Sequence, residues 1–355
     1  MAKKVLIVDD SALVRKQLRE LIQTLEYEID TAKNGKEAVD KACETQYDVI
    51  TMDINMPVMD GLTAVKEIME KNPTPILMVS SLTTADASIT IEALELGAID
   101  YISKPGTMNI GRQDNAEDII QKVKSLSRIP KRRLRSRVRP PRAVEPARRE
   151  RAREQKSHVL GDSRDIKKVV LVGASTGGPG LIEQICSALP EDYPFPVCIV
   201  QHMPEQFTKA FADRLERVSI LPVHESSQNM ELLPGNIYVA KGGMHLHFAK
   251  KVSGKIVLRE EGDKNSQFFQ PSVNEMYDSA LKTFSGKQLL AVLLTGIGDD
   301  GADGMVAIRK AGGYTIGESE ESATVYGMPK EAYERGGVME QLPFNKIVKK
   351  IVTFS

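Results

Sequence analysis

One alternation limits the fold more than anything else in the chain. Strand-like runs and helical stretches take turns along the first 127 residues, stop, and resume near residue 166. The first set of runs is Val5–Val8, Glu28–Thr31, Val49–Met52, Ile76–Val79 and Ala98–Ile102. Helical patterns fill the gaps at Ala12–Leu25, Lys36–Glu44, Leu62–Glu70 and Ala87–Leu96. A last helix carries Ala116, Ile119, Ile120 and Val123 on one face, the i, i+3, i+4, i+7 spacing of an amphipathic helix. Strict alternation implies a parallel sheet covered on both faces. Right-handed crossovers make it an open, doubly wound (βα)5 sheet.

The second set predicts another α/β domain. Lys167–Val172 is an apolar run ending in Gly173-Ala174-Ser175-Thr176-Gly177-Gly178, ahead of a helix over Gly180–Leu189. The strand Val197–Val200 ends at Gln201-His202, and the helix Glu205–Arg217 follows. Residues Asn236–Arg259 are rich in strand pattern, with a hairpin turn at Val252-Ser253-Gly254-Lys255. The helix Val273–Thr283 leads to the strand Leu289–Leu294, which ends in Thr295-Gly296-Ile297-Gly298-Asp299-Asp300-Gly301. The expectation is a doubly wound parallel sheet with an inserted β-hairpin, and no tandem repeat is visible.

Between the two lies a basic interruption. Lys131 to Lys156 holds twelve Lys or Arg and three Glu, a net of +9 in a chain whose formal net charge is zero. This stretch is rich in Pro and Arg and poor in large apolar residues, so it cannot bury a core and reads as an exposed linker. The expected organisation is residues 1–127, a linker over 128–165, and residues 166–355. A length of 355 residues suits two domains. The linker lacks the apolar periodicity of a recognition helix, so no nucleic-acid partner is expected. Cys43, Cys186 and Cys198 form no CxxC pair, which argues against a disulfide framework or a zinc site. The apolar run near the N-terminus is too short for a signal peptide, and no run reaches the ~18 residues of a membrane span. A cytoplasmic protein without membrane insertion is expected.

In an open α/β sheet, ligands sit outside the carboxyl ends of the strands. Asp9 and Asp10 end the first strand, Asp53 the third and Ser80 the fourth, and Lys104 follows the fifth. Singly, these are ordinary loop acids and a surface lysine. Together, three carboxylates repel one another unless neutralised. Mg²⁺ suits them, since it takes few carboxylates and keeps waters. One carboxylate can then attack a phosphoryl group while the metal, Lys104 and the Ser80 hydroxyl hold its oxygens.

These residues resemble the receiver domain of two-component response regulators over about Lys3–Ser127. The matching pieces are Val8-Asp9-Asp10, Met52-Asp53-Ile54-Asn55-Met56-Pro57, Asp60-Gly61, Val79-Ser80-Ser81 and Ser103-Lys104-Pro105. The resemblance implies phosphorylation of Asp53 by a histidine kinase. It implies Mg²⁺ held by Asp10, Asp53 and the carbonyl of Asn55, with Asp9 close by. It also implies a cis Lys104–Pro105 bond, and switch residues at Ser80 and Tyr101.

In the second half, Gly173-Ala174-Ser175-Thr176-Gly177 fits G-x-S-x-G at a strand-to-helix turn. Such a turn also cradles phosphates, so a nucleotide-binding output domain is the rival. That rival expects an acid at the end of the next strand, where this chain has His202. A histidine accepts and returns a proton near neutral pH, as a serine nucleophile requires. A third strand end offers Asp299 or Asp300 to orient the imidazole, and residue chemistry leaves that choice open. The order Ser, His, Asp is not that of an α/β-hydrolase. His245 and His247 alternate on a predicted strand and read as solvent-facing. His224 reads as a loop residue with no partner, and His158 falls in the linker.

This half resembles the catalytic domain of chemotaxis protein-glutamate methylesterases from about Val169 onward. The resemblance rests on Gly173 to Gly178, Gln201-His202-Met203-Pro204, Leu294 to Gly301 and Tyr326-Gly327-Met328-Pro329-Lys330. It implies a Ser175, His202, Asp300 triad, with Thr176 and the backbone at Ile297 in oxyanion and histidine-positioning roles. The family has Met where Ile297 stands, and Arg-Pro-Ser-Val-Asp where this chain has Gln270-Pro271-Ser272-Val273-Asn274. The implied reaction is hydrolysis of glutamate methyl esters on chemoreceptors, with glutamine deamidation and no cofactor for the ester chemistry. An unphosphorylated receiver is expected to cover the esterase site.

Overall fold

Val5, Leu6, Ile7 and Val8 are fully buried in the first strand, as an all-apolar strand at the centre of a parallel sheet must be. Burying each such side chain contributes about 1.5–3 kcal/mol. The computed structural model describes residues 2–81, 83–105, 115–130, 134, 143–145, 163–164, 166–262 and 269–354. The chain divides into two units, residues 1–140 and 141–355. His158 and most of the basic stretch lie outside the described residues. Among the described residues, no helix is long and apolar enough to cross a membrane.

The first unit runs β1 (Lys4–Val8), α1 (Ala12–Gln23), β2 (Glu28–Ala32), α2 (Gly35–Glu44), β3 (Val49–Asp53), α3 (Gly61–Lys71), β4 (Ile76–Ser80), α4 (Thr84–Glu95), β5 (Asp100–Ser103) and α5 (Asn115–Leu126). The sheet order is β2-β1-β3-β4-β5, parallel throughout. Helix starts follow local chemistry. The side chains of Asn34, Asp60 and Thr83 accept from the N–H groups of Glu37, Thr63 and Asp86 at 2.9, 2.7 and 3.1 Å, satisfying first-turn donors.

The second unit runs β6 (Val169–Ala174), α6 (Pro179–Ala188), β7 (Val197–Gln201), α7 (Glu205–Val218), β8 (Val223–Glu225), β9 (Ile237–Val239), β10 (His245–Lys250), β11 (Ile256–Glu261), α8 (Val273–Thr283), β12 (Leu289–Leu293), α9 (Ala302–Lys310), β13 (Tyr314–Glu318), α10 (Met328–Glu334), β14 (Glu340–Leu342) and α11 (Phe344–Val352). Seven strands form one parallel sheet, ordered β14-β13-β12-β6-β7-β9-β8. The expected hairpin is β10–β11, closed by Lys251 N–H on the Lys255 carbonyl at 2.8 Å. Its apolar face (Leu246, Phe248, Leu258) joins Met276, Tyr277 and Ala280 of α8 in the core.

Four expectations need correction. His245 is buried, not solvent-facing, and its Nδ1 accepts from Ser272 N–H at 3.2 Å. His247 does share its face, but pairs with Glu275 of α8 at 3.1 Å. Ser272 and Glu275, at the start of α8, meet these two rings, which strand alternation alone cannot foresee. His224 lies in β8 and meets the Asn236 side chain at 3.1 Å. The cis bond among the described residues is Gln270–Pro271, and Lys104–Pro105 is not cis. The X–Pro amide allows either state at small cost.

Candidate active site

Strand order builds the site. β6 lies between β12 and β7, and register sets Gly173 beside both Leu293 and Val200. The three strands therefore end side by side. Ser175 N–H donates to the Thr295 carbonyl at 2.9 Å, and His202 N–H to the Ala174 carbonyl at 3.1 Å. The loop after β12 passes so close that position 296 admits only glycine. A Cβ there would stand 2.8 Å from Ser175 Cβ and 2.1 Å from Met328 Sδ. Met328 N–H in turn donates to the Gly296 carbonyl at 2.9 Å, which is why the Tyr326–Lys330 motif accompanies the serine.

His202 Nε2 and Asp300 Oδ2 are 2.7 Å apart. Nδ1 of the same ring is buried, with no hydrogen-bond partner among the described residues. Asp299 is turned away, largely exposed and held by Arg335 at 2.5 Å. Asp300 is buried and accepts three more hydrogen bonds from the start of α8: Ser272 Oγ at 2.8 Å, Val273 N–H at 2.6 Å and Asn274 N–H at 3.0 Å. Burial alone would raise this carboxyl's pKa. The His202 hydrogen bond and charge, with the two N–H donors, outweigh burial and hold it below the usual carboxylate range. A helix N-terminus favours the anion in the same sense.

Ser175 is buried at the end of β6. Thr176 is buried beside it, its carbonyl accepting from Thr295 Oγ1 at 2.8 Å and its own Oγ1 without a partner among the described residues. Ile297 is half-buried in the loop that carries Asp300. Three contributors escaped the sequence reading. Ser272 could have been suspected as the polar residue just before the helix Val273–Thr283. Glu318 is buried and accepts from Thr295 N–H at 2.8 Å. Phe269 lies face-on against His202. No motif or periodicity marks the last two.

The first unit gathers its acids as expected. Carboxylate oxygens of Asp9, Asp10 and Asp53 lie within 4.8 Å of one another. Lys104 Nζ stands 2.9 Å from Asp53 Oδ1 and 3.3 Å from Asp9 Oδ2. Burial pushes the Asp53 carboxyl up to about 6, with the charge of Asp9 adding to it and the Lys104 hydrogen bond opposing. Burial likewise raises Asp9, against the Ser11 N–H and Lys104. Asp53 Oδ2 is buried with no hydrogen-bond partner among the described residues, so an acceptor is left open at this residue. A hard cation fits that donor set, and a cluster of this kind is typical of a receiver Mg²⁺ site. Ser80 and Tyr101 are buried at the ends of β4 and in β5. Lys122 Nζ sits 5.3 Å from the Tyr101 ring centre, and the Asn55 amide donates to Asp86 at 3.0 Å.

The comparisons with known proteins agree with this geometry. Residues 5–124 match the response regulator receiver domain, and residues 170–351 match the family described as CheB methylesterase. A protein-glutamate methylesterase/protein-glutamine glutaminase of Carboxydothermus hydrogenoformans is 48% identical, covering 98% of both chains. One from Caldanaerobacter subterraneus is 44% identical over 97% of this chain and 94% of its own. The crystal structure of the Thermotoga maritima CheB methylesterase catalytic domain superposes with a TM-score of 0.52 at 36% identity, covering 54% of this chain and 100% of that one. Sheet order, strand-end residues and whole-length similarity thus converge: the chain belongs to the protein-glutamate methylesterase/protein-glutamine glutaminase family, with a receiver domain ahead of its methylesterase domain.

Proposed function

We propose that Ser175, His202 and Asp300 hydrolyse glutamate methyl esters on chemoreceptors, and receptor glutamine amides by the same steps. The observation that carries this reading is the 2.7 Å bond between His202 Nε2 and Asp300, which leaves Nδ1 for the serine at the adjoining strand end. Ser175 Oγ attacks the ester carbonyl as Nδ1 takes its proton. Asp300 holds the other ring nitrogen and stabilises the imidazolium. The ring nitrogens thus exchange the roles they have in the chymotrypsin arrangement. Thr176 and the backbone N–H of Ile297 hold the oxyanion. The imidazolium returns its proton to the leaving methanol, or to ammonia from the amide. Water activated by His202 then releases the glutamate.

The acidic pocket is assigned to Mg²⁺, held by Asp10, Asp53 and the Asn55 carbonyl with Asp9 alongside. When bound, the ion supplies charge neutralisation for the carboxylates and the incoming phosphoryl oxygens. Asp53 accepts the phosphoryl group from a histidine kinase, Lys104 and Ser80 hold its oxygens, and Tyr101 answers as a switch. Phosphorylation then raises esterase activity. A switch from ~1% to ~99% active requires about 5.5 kcal/mol of differential stabilisation. The working domain limits are residues 1–127 and 166–355, with 128–165 as linker, in a cytoplasmic protein.

The test is methanol release from methylated receptor membranes with and without a phosphodonor. Ser175→Ala should abolish release, and Asp53→Asn should abolish the response to phosphodonor but keep basal release. Wild-type rates from Ser175→Ala would refute the mechanism.

A further inference from the structure

Phe269 stacks on the imidazole of His202, with ring centroids 3.9 Å apart and planes 11° from parallel. It lies between β11 and α8. The short run it begins reaches both members of the His–Asp pair. Three residues on, the Ser272 hydroxyl holds Asp300 Oδ1 at 2.8 Å. Between them, the Gln270 carbonyl accepts from Gly243 N–H at 3.1 Å, which pins the run to the loop before β10. A Cβ at Gly298 would stand 3.9 Å from Phe269 Cε2. The aromatic ring is therefore flanked by the loop that carries Asp300.

One hydrogen bond does not fix an imidazole. Held at Nε2 alone, the ring can rock about the line from Cγ to Nε2, and that motion swings Nδ1 through an arc. A flat ring packed on its face blocks the rocking and leaves the Nε2 bond intact. It also shields the face, leaving the His202 side chain 5% exposed. The negative face of an aromatic ring favours the cation that forms when His202 takes the serine proton.

We propose that Phe269 is a positioning residue for the ester hydrolysis, fixing the plane of His202 so that Nδ1 is presented to Ser175 while Nε2 stays on Asp300. This rests on the Ser175–His202–Asp300 reading. Aromatic stacking of this kind is worth up to about tenfold in rate.

The test uses the full chain with phosphodonor and methylated receptor membranes. Phe269→Leu should lower kcat about tenfold with KM changed less than about twofold, and Phe269→Tyr should restore kcat. The imidazole C–H resonances of His202 should lie upfield in the wild type, under the ring current, and move downfield in Phe269→Leu. Should Phe269→Leu fail to fold, Phe269→Met replaces it. A kcat at or above wild type in the variant lacking the ring overturns the proposal. So does a loss confined to KM, which would make Phe269 a substrate contact. Unmoved His202 resonances overturn it whatever the rates. If the wild type releases no methanol, the proposed reaction falls, and labelling of Ser175 by a fluorophosphonate carries the same rate comparison.

Discussion

The Ser272 hydroxyl donates to Asp300 Oδ1 at 2.8 Å, beside the Val273 and Asn274 N–H groups that point at the same carboxylate. Ser272 also caps α8 through the Glu275 N–H at 3.3 Å. Removing a hydrogen bond to a charged group costs about 1.5–3 kcal/mol. Ser272→Ala should therefore lower kcat at least about tenfold, and Ser272→Thr should recover much of it. Methanol release under saturating substrate reads both.

Asp300 carries a pH signature of its own. Its pKa is depressed on folding, so its stabilisation is present above the unfolded carboxylate value and lost as pH falls through the lower folded value. The melting-temperature difference between wild type and Asp300→Asn should hold steady from neutral pH down to about pH 4. Below that it should shrink. Melts of the esterase transition across that range decide it.

Gly296 should tolerate no side chain. An alanine Cβ would meet Ser175 Cβ at 2.8 Å and Met328 Sδ at 2.1 Å. Overpacking of this kind costs about 1–3 kcal/mol. Adding Met328→Ala to Gly296→Ala should return part of the melting temperature. It should not return the activity, because the Ser175 contact remains.

Asp53 has the opposite sign to Asp300. Its folded pKa is raised to about 6, so the receiver loses stability as pH climbs from the unfolded value through that point. The full cost is about 3 kcal/mol as an upper figure. At pH 7 in chelator, Asp53→Asn should melt higher than wild type. Mg²⁺ should raise the wild-type receiver transition and barely move the variant.

Much of this fold was legible because parallel strands are buried along their length. β3, β4, β6, β7 and β12 are buried at every residue, and their predicted ends fall within two residues of the observed ones. β8 is three residues long and only partly buried, too brief to register as a pattern. The strand-end acids and the serine and histidine were legible for the same reason: strand ends locate ligands. Glu318 and Phe269 were not, because each reaches the site across more than twenty residues through a side-chain contact, and Ser272 showed only as a polar residue ahead of a helix. His245 shows the limit from another direction. Alternation paired it correctly with His247, but only the tertiary contact with Ser272, at the start of α8, accompanies its burial.

The insertion of β12 between β6 and β13 has a consequence for biosynthesis. His202 and Asp300 are 98 residues apart, and β12 also brings the Thr295 carbonyl that receives Ser175 N–H. A growing chain that has finished β7 holds the serine and the histidine, yet one flank of the serine strand is bare. It lacks Asp300 for the imidazole and the Thr295 carbonyl for the Ser175 N–H. Domains fold as units, so on the Ser175–His202–Asp300 reading a nascent chain should show no esterase activity before β12 and Asp300 have emerged.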